Sequence, residues 1–518
     1  MARAKNFLKG LSTSYLLIAA NTLWTLVSLP VALHYLPKPE YTLWLVVAQV
    51  SAYLAMIDLG TAGSGIRLLV DHKDARDAGD YGSLIKSMTL LGVAQAGLIL
   101  AVGLGGVGLL TSALKNIPPE LAGDFRRLWV WQVIFLAVNF VFRVSNQILQ
   151  AHQRMDVSNY TQIGAFPVNL ALLVGGLEAG LGLDSFILSQ GVALLLTLVV
   201  TSVACVRLRL FPARGAWGSF SGAHLRQVFG LGSEFFLIIV GTTLATGSQV
   251  FLLTRLMSLE AALVWSVMTK LFTLGTQLVW RIVGMANPAF AEMFIRSEWD
   301  RLWRRYRSVL ELSVLASGYL GLLIGFGNNA FVEVWTRKPI QWAEWNNWLL
   351  AAWLIFSTQA VCHSSFLLYL KRVRTLKIIC LAEGLAFVLG CIVIVPRFGI
   401  TGMLASSILW TLLLTWQGGL RQVAQAIGQP TRVLALDWLA PLARFLAIML
   451  PLGTALAWLT RDSAWLRLTG CVVPVAVIGA GVIVRFCLSP EIRAELLKHL
   501  PPSLRRAGQA LTGSATAS

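Results

Sequence analysis

The chain has 518 residues, 56% of them apolar and only 13% charged, with a mean hydropathy of +0.70. Apolar runs of about 20 residues, long enough to cross a hydrocarbon core, fill nearly its whole length and leave no room for a soluble domain. The net charge of +18 does not indicate a nucleic-acid partner, because the basic residues are spread over many short loops instead of forming one stripe.

In chain order, the first apolar run is Leu8–Leu33. It exceeds the short core of a signal peptide, ends in LPVALHYLP without a small-residue cleavage site and is followed at once by another span, so it is expected to be retained. The next six spans are predicted at Tyr41–Ile66, Ser87–Leu114, Leu128–Ala151, Thr161–Leu181, Ser185–Val206 and Phe229–Leu256. Seven more follow at Ala261–Phe290, Val309–Gly327, Trp345–Leu370, Ile378–Val395, Ile400–Gln417, Trp438–Leu459 and Leu468–Leu488. The fold class is all-α, a polytopic membrane protein with about fourteen transmembrane helices, or as few as twelve where boundaries are soft.

Comparing Leu8 onward with Phe229 onward at an offset of 221 aligns Ser12 with Ser233, Leu16 with Leu237, Thr22-Leu23 with Thr243-Leu244, and Trp44 with Trp265. The pattern fits two six-helix bundles, residues 1–220 and 221–430, followed by two appended helices in 431–488 and a tail, 489–518. Lys and Arg concentrate in RSEWDRLWRRYRS, KRVRTLK and the tail, which places both termini in the cytoplasm. Trp335, Trp342, Trp345 and Trp348 then crowd one outer loop and its adjoining helix end, where they read as an interfacial belt, with sugar stacking as the alternative.

The six cysteines show no CxxC and no metal-ligand spacing with the six histidines; the adjacent pair Cys362-His363 reads as helix packing. The stretch YLAMIDLGTAGSGIRL, residues 53–68, has closely spaced glycines, yet it matches neither GxGxxG nor GxxxxGK[ST] and lies inside a span. Small residues there permit close helix packing, which accounts for Gly60, Ala62, Gly63 and Gly65. Asp58 and Arg67 are nine positions apart, on opposite faces of a continuous helix, so Arg67 snorkels to water and Asp58 requires another polar partner.

Charges at comparable depth are Arg143, Arg281, Glu234 and Glu383, with Lys270 nearer the middle of its span. A cation there is costly unless it faces water or an acid. Their common explanation is a cationic inner cavity lined by Arg143, Lys270 and Arg281, with Asp58, Glu234 and Glu383 in gating or coupling. Asp58 and Arg281 lie at nearly equal depth and are expected to pair across the cleft in one transport state.

The run EYTLWLVVAQVSAYLAMIDLGTAGSGIRLLV, residues 40–70, resembles the second-helix region of bacterial polysaccharide lipid-carrier flippases. The matching positions are Glu40, Tyr41, Leu43, Trp44, Asp58, Leu59, Gly60 and Arg67. FGLGSEFFLIIVGTTLATGSQVFLLTRL resembles the seventh helix of that family, and AHQRMDVSNYTQI its loop before the fifth. The resemblance implies membership of the multidrug, oligosaccharidyl-lipid and polysaccharide (MOP) exporter superfamily, with the two bundles in a V around a central cavity. It further implies a flippase for undecaprenyl-diphosphate-linked oligosaccharide in the bacterial inner membrane, serving O-antigen, capsule or exopolysaccharide synthesis beside a polysaccharide polymerase and a chain-length regulator.

Transport needs no covalent chemistry and no cofactor, so the chain is not expected to be an enzyme. A membrane glycosyltransferase, polymerase or ligase is disfavoured because no loop approaches domain size and there is no DxD, paired carboxylates or exposed histidine cluster. A multidrug or cation antiporter stays open through Asp58, Glu234 and Glu383, and a lipid II flippase is a further alternative.

Overall fold

A computed structural model describes residues 2–108, 110, 117–338, 340–370 and 373–493. The predicted end of the third span at Leu114 and the tail beyond residue 493 lie outside the described residues. Among those described there is helix and no strand. In hydrocarbon every backbone N–H and C=O must find a partner within the protein, and a helix supplies one locally. The chain divides into two compact units, Met1–Leu263 and Val264–Ser518.

The first unit contains α1 (Ala2–Tyr35), α2 (Lys38–Ala55), α3 (Thr61–His72), α4 (Asp80–Gly105), α5 (Ala122–Phe142) and α6 (Val144–Ala151). It continues with α7 (Met155–Glu178), α8 (Asp184–Arg207), α9 (Gly222–Gly247) and α10 (Gln249–Leu256). Helix α1 packs on α7, α7 on α8, α2 and α4 on α5, and α9 on α3. Leu69, Tyr81, Leu84, Ile148, Leu149, Cys205 and Val228 form one buried core of this unit.

Helix α11 (Leu259–Met268) leads into the second unit. There α12 (Lys270–Ile295), α13 (Trp299–Thr336) and α14 (Trp345–Tyr369) pack on one another. They are followed by α15 (Val373–Trp410), a π-helical turn at Thr411–Trp416, α16 (Gln417–Ile427) and α17 (Thr431–Leu459). The last membrane segment, Ala464–Cys487, is α-helical in α18 (Ala464–Arg467) and α19 (Val473–Val482) and π-helical elsewhere. Val283, Phe290, Tyr306, Leu310, Phe366, Val423 and Leu434 form one buried core of this unit.

Eleven described helices are long and apolar enough to cross a membrane, and thirteen if each of two bent pairs, α9 with α10 and α11 with α12, counts as one span. The segment Val373–Ile427 is far longer than one crossing requires, and Gly399 breaks it with φ 58° and ψ −142°. Counting it as two crossings brings the number to fourteen and separates the two spans predicted at Ile378–Val395 and Ile400–Gln417.

Several spans are interrupted where polar residues sit. The second breaks at Leu59-Gly60, the fourth at Arg143, the seventh bends by 51° at Ser248 and the eighth by 45° at Thr269. At Arg143 and Thr269 the residue at the interruption keeps its own i→i−4 bonds, whereas at Leu59-Gly60 a side chain takes over exposed backbone carbonyls.

Candidate functional site

The expected continuous second helix is replaced by two helices joined through a 3₁₀ turn, Met56–Asp58, and two left-handed residues. Leu59 has φ 52° and Gly60 φ 75°, a conformation glycine adopts without steric penalty. Gly60 is required for a second reason: a Cβ there would lie 2.6 Å from the Gly232 carbonyl oxygen, and one on Gly232 would lie 2.7 Å from that of Leu59. Helix α9 thus crosses the break backbone to backbone, and Ser64 Oγ donates to the Val228 carbonyl at 2.9 Å. Gly65 packs against Met88, whereas Gly63 faces open space, so the close-packing explanation holds for Gly60 and Gly65 only.

Asp58 closes the break. Its Oδ1 accepts from Thr61 Oγ1 at 2.9 Å and from the Ala62 N–H at 3.2 Å, which caps the first turn of α3. The same oxygen accepts from Arg143 Nη1, and Arg143 Nη2 donates to Gln95 Oε1 at 2.7 Å and to Thr61 Oγ1 at 3.2 Å. Gln95 Nε2 donates to the Ile57 and Asp58 carbonyls at 2.9 and 3.2 Å, satisfying acceptors exposed by the break. The Arg143 guanidinium also lies 4.2 Å from the centroid of the Phe140 ring.

Within the first unit Asp58 pairs with Arg143, another of the candidate cations. The break removes the face geometry of a continuous helix, and Arg67 beyond it is exposed. Thr61 and Gln95 carry no charge, so the charges within apolar runs do not point to them. Gln95 was visible as an uncharged polar side chain deep in the third apolar run.

In the second unit, Lys270 follows the bend at Thr269 directly and Arg281 lies three turns further along α12. Thr273 and Gln277 share their face: at 100° per residue the four side chains fall within an arc of about 80°. Thr273 and Gln277 are exposed and Lys270 and Arg281 partly so, while Phe272, Gly275, Thr276, Val279 and Val283 on the other side are buried. Among the described residues neither Lys270 nor Arg281 has a hydrogen-bond or ion-pair partner. Glu383 is buried and accepts from Thr411 Oγ1 at 2.7 Å, where the backbone enters its π-helical turn. Glu234 lies on α9, with its side chain outside the described residues.

Of the four tryptophans assigned to an outer belt, Trp345 and Trp348 are exposed. Trp342 is instead half-buried and donates from Nε1 to Asn347 Oδ1 at 2.8 Å. No group of three or more His, Cys, Asp or Glu residues suited to a metal occurs among the described residues, and all six cysteines are buried and unpaired.

No protein-family model and no curated protein matches the sequence. In structure the chain is similar to the lipid II flippase MurJ in its inward closed conformation. That likeness has a TM-score of 0.65 at 13% identity, covering 92% of this chain and 98% of the other. It is similar to an inward-facing multidrug resistance MATE family transporter of the MOP superfamily, with a TM-score of 0.63 at 12% identity over 79% and 95% of the two chains. A MOP superfamily transporter from Pyrococcus furiosus, described as having a binding pocket of reversed polarity, gives 0.57 at 14% identity over 83% and 96%. The likeness is one of fold, and the chain has the all-α, multi-pass fold of these MOP-superfamily transporters.

Proposed function

We propose that this protein is a flippase that carries undecaprenyl-diphosphate-linked oligosaccharide across the bacterial inner membrane by alternating access, with both termini cytoplasmic. The observation that carries the reading is the imbalance of charge within the spans. Lys270 and Arg281 share a polar stripe on α12 and lack counter-ions among the described residues, whereas Asp58 is matched by Arg143 and Glu383 is buried against Thr411. A membrane-embedded cation without an acid is best accommodated by water and an anionic cargo. A diphosphate is such a cargo: its oxygens take charge-assisted hydrogen bonds from Lys and Arg while the polyprenyl chain stays in lipid.

In this reading Lys270 and Arg281 supply those hydrogen bonds. Arg143 is held by Asp58 and is freed only when an anion displaces that carboxylate, a step that acts on the break in the second span. The reading departs from a drug or cation antiporter, whose carboxylates must be free to take up cargo or coupling ions. A lipid II flippase uses the same anionic chemistry and is the nearer alternative, supported by the fold shared with MurJ.

Deleting the gene in its host tests the proposal. The expected result is accumulation of lipid-linked repeat units at the inner leaflet and loss of surface polysaccharide. Intact surface polysaccharide with new drug sensitivity would establish the antiporter instead, and accumulation of peptidoglycan precursor the lipid II flippase.

A further inference from the structure

The loop between α13 and α14 is tied to the bend in the eighth span by an unbroken run of hydrogen bonds within the second unit. Trp342 Nε1 donates to Asn347 Oδ1 at 2.8 Å, and Asn328 Nδ2 donates to the same oxygen at 2.9 Å. Asn328 Nδ2 also donates to the Met268 carbonyl at 2.9 Å, the last residue of α11. Asn347 Nδ2 in turn donates to Asn329 Oδ1 at 2.9 Å. Asn328 is fully buried and Asn347 nearly so.

The indole fixes the orientation of the amides. An indole N–H only donates, so the Asn347 atom beside it must be the oxygen, and its nitrogen then faces Asn329. Asn328 must present nitrogen to both the Asn347 oxygen and the Met268 carbonyl. Each amide therefore has one orientation, with Asn328 Oδ1 left buried without a hydrogen-bond partner, and the run is a directional strut from loop to bend.

At the other end of the strut only one residue separates α11 from α12. Thr269 donates to the Trp265 carbonyl through both N–H and Oγ1, at 3.0 and 2.7 Å, and Thr273 donates likewise to the Thr269 carbonyl, at 2.9 and 3.0 Å. The turns on either side are thus doubly bonded, and the freedom that remains is the angle between them. Asn328 holds that hinge at the Met268 carbonyl, two residues before Lys270.

We propose that Asn328, Asn347 and Trp342 are positioning residues that set the bend at Thr269 and with it the direction in which Lys270 leaves α12. The outer loop carrying Trp342 thereby controls a cation deep in the span. The functional consequence rests on the role proposed above for Lys270, but the geometric claim does not.

The test uses thiol labelling in the full chain, where all six native cysteines are buried and supply a low background. Lys270→Cys and, separately, Arg304→Cys, an exposed control on α13 outside the hinged helix, are labelled with a soluble methanethiosulfonate reagent in the purified protein. Each is then combined with Trp342→Phe, which keeps an aromatic ring but lacks the indole N–H, or with Asn328→Asp. Losing one hydrogen bond of the run is expected to change the labelling rate at position 270 by about five-fold, with the rate at position 304 changed by less than about two-fold. Rates within about two-fold at position 270 in Trp342→Phe, which does not threaten folding, would overturn the strut. Equal changes at both positions would reduce it to general packing. Because labelling does not depend on cargo, failure of the flippase assignment leaves this outcome readable.

Discussion

Replacing Arg143 by leucine tests whether the ion pair holds the broken second span. The substitution removes the donor from Asp58 and leaves the carboxylate with only the Thr61 hydroxyl and the Ala62 N–H. Breaking a buried pair costs about 3 to 5 kcal/mol; with side chains 16% and 21% exposed and two donors retained, we expect about 3 kcal/mol. That is about a hundred-fold in the ratio of folded to unfolded protein. Asp58→Asn alone keeps an amide oxygen for Arg143 and Thr61 and is expected to cost about 2 kcal/mol. The double variant leaves neither charge unpaired, so its cost should be about 3 kcal/mol instead of the additive sum, a coupling of about 2 kcal/mol. Reversible unfolding in mixed detergent micelles measures all three, with Arg67→Gln as a surface control. A coupling below about 0.5 kcal/mol would show that the pair contributes nothing to the break.

Gly60→Ala and Gly232→Ala should each destabilise the protein by about 2 kcal/mol or more in the same assay, because neither site has room for a Cβ and the first also has positive φ. Gly63→Ala, which meets nothing within 4 Å, should be neutral or slightly stabilising. Lys270→Gln and Arg281→Gln should leave membrane insertion unchanged while reducing export of lipid-linked sugar, and full export by both at normal protein level would remove them from the mechanism. His152 lies between the fourth and fifth spans, where burial, with Arg76 and Lys73 nearby, lowers its pKa below the ordinary 6.5. Its neutral form is therefore favoured by folding: the associated stability is complete above pH 6.5 and is lost as pH falls through the lowered value. His152→Gln should flatten that acid-side loss in a thermal melt, and an unchanged pH profile would exclude His152 as its source.

Hydropathy along the chain establishes the membrane class, the all-α fold and the approximate position of the spans among the described residues. These depend on summed apolar character over about 20 residues and need no knowledge of neighbours. It also singled out Asp58, Arg143, Lys270 and Arg281, since a charge inside an apolar run is conspicuous wherever it points. Hydropathy did not reveal that the second span breaks at Leu59-Gly60, because a break stabilised by Gln95 from another helix has the same composition as a continuous span. Nor did it pair Asp58 with Arg143, which are 85 positions apart and meet only through helix packing. Trp342 shows the same limit: an outer tryptophan reads as part of a belt until the fold turns its N–H onto Asn347. Partners of polar groups in a membrane protein are decided by which helix lies alongside, and only the tertiary structure specifies that.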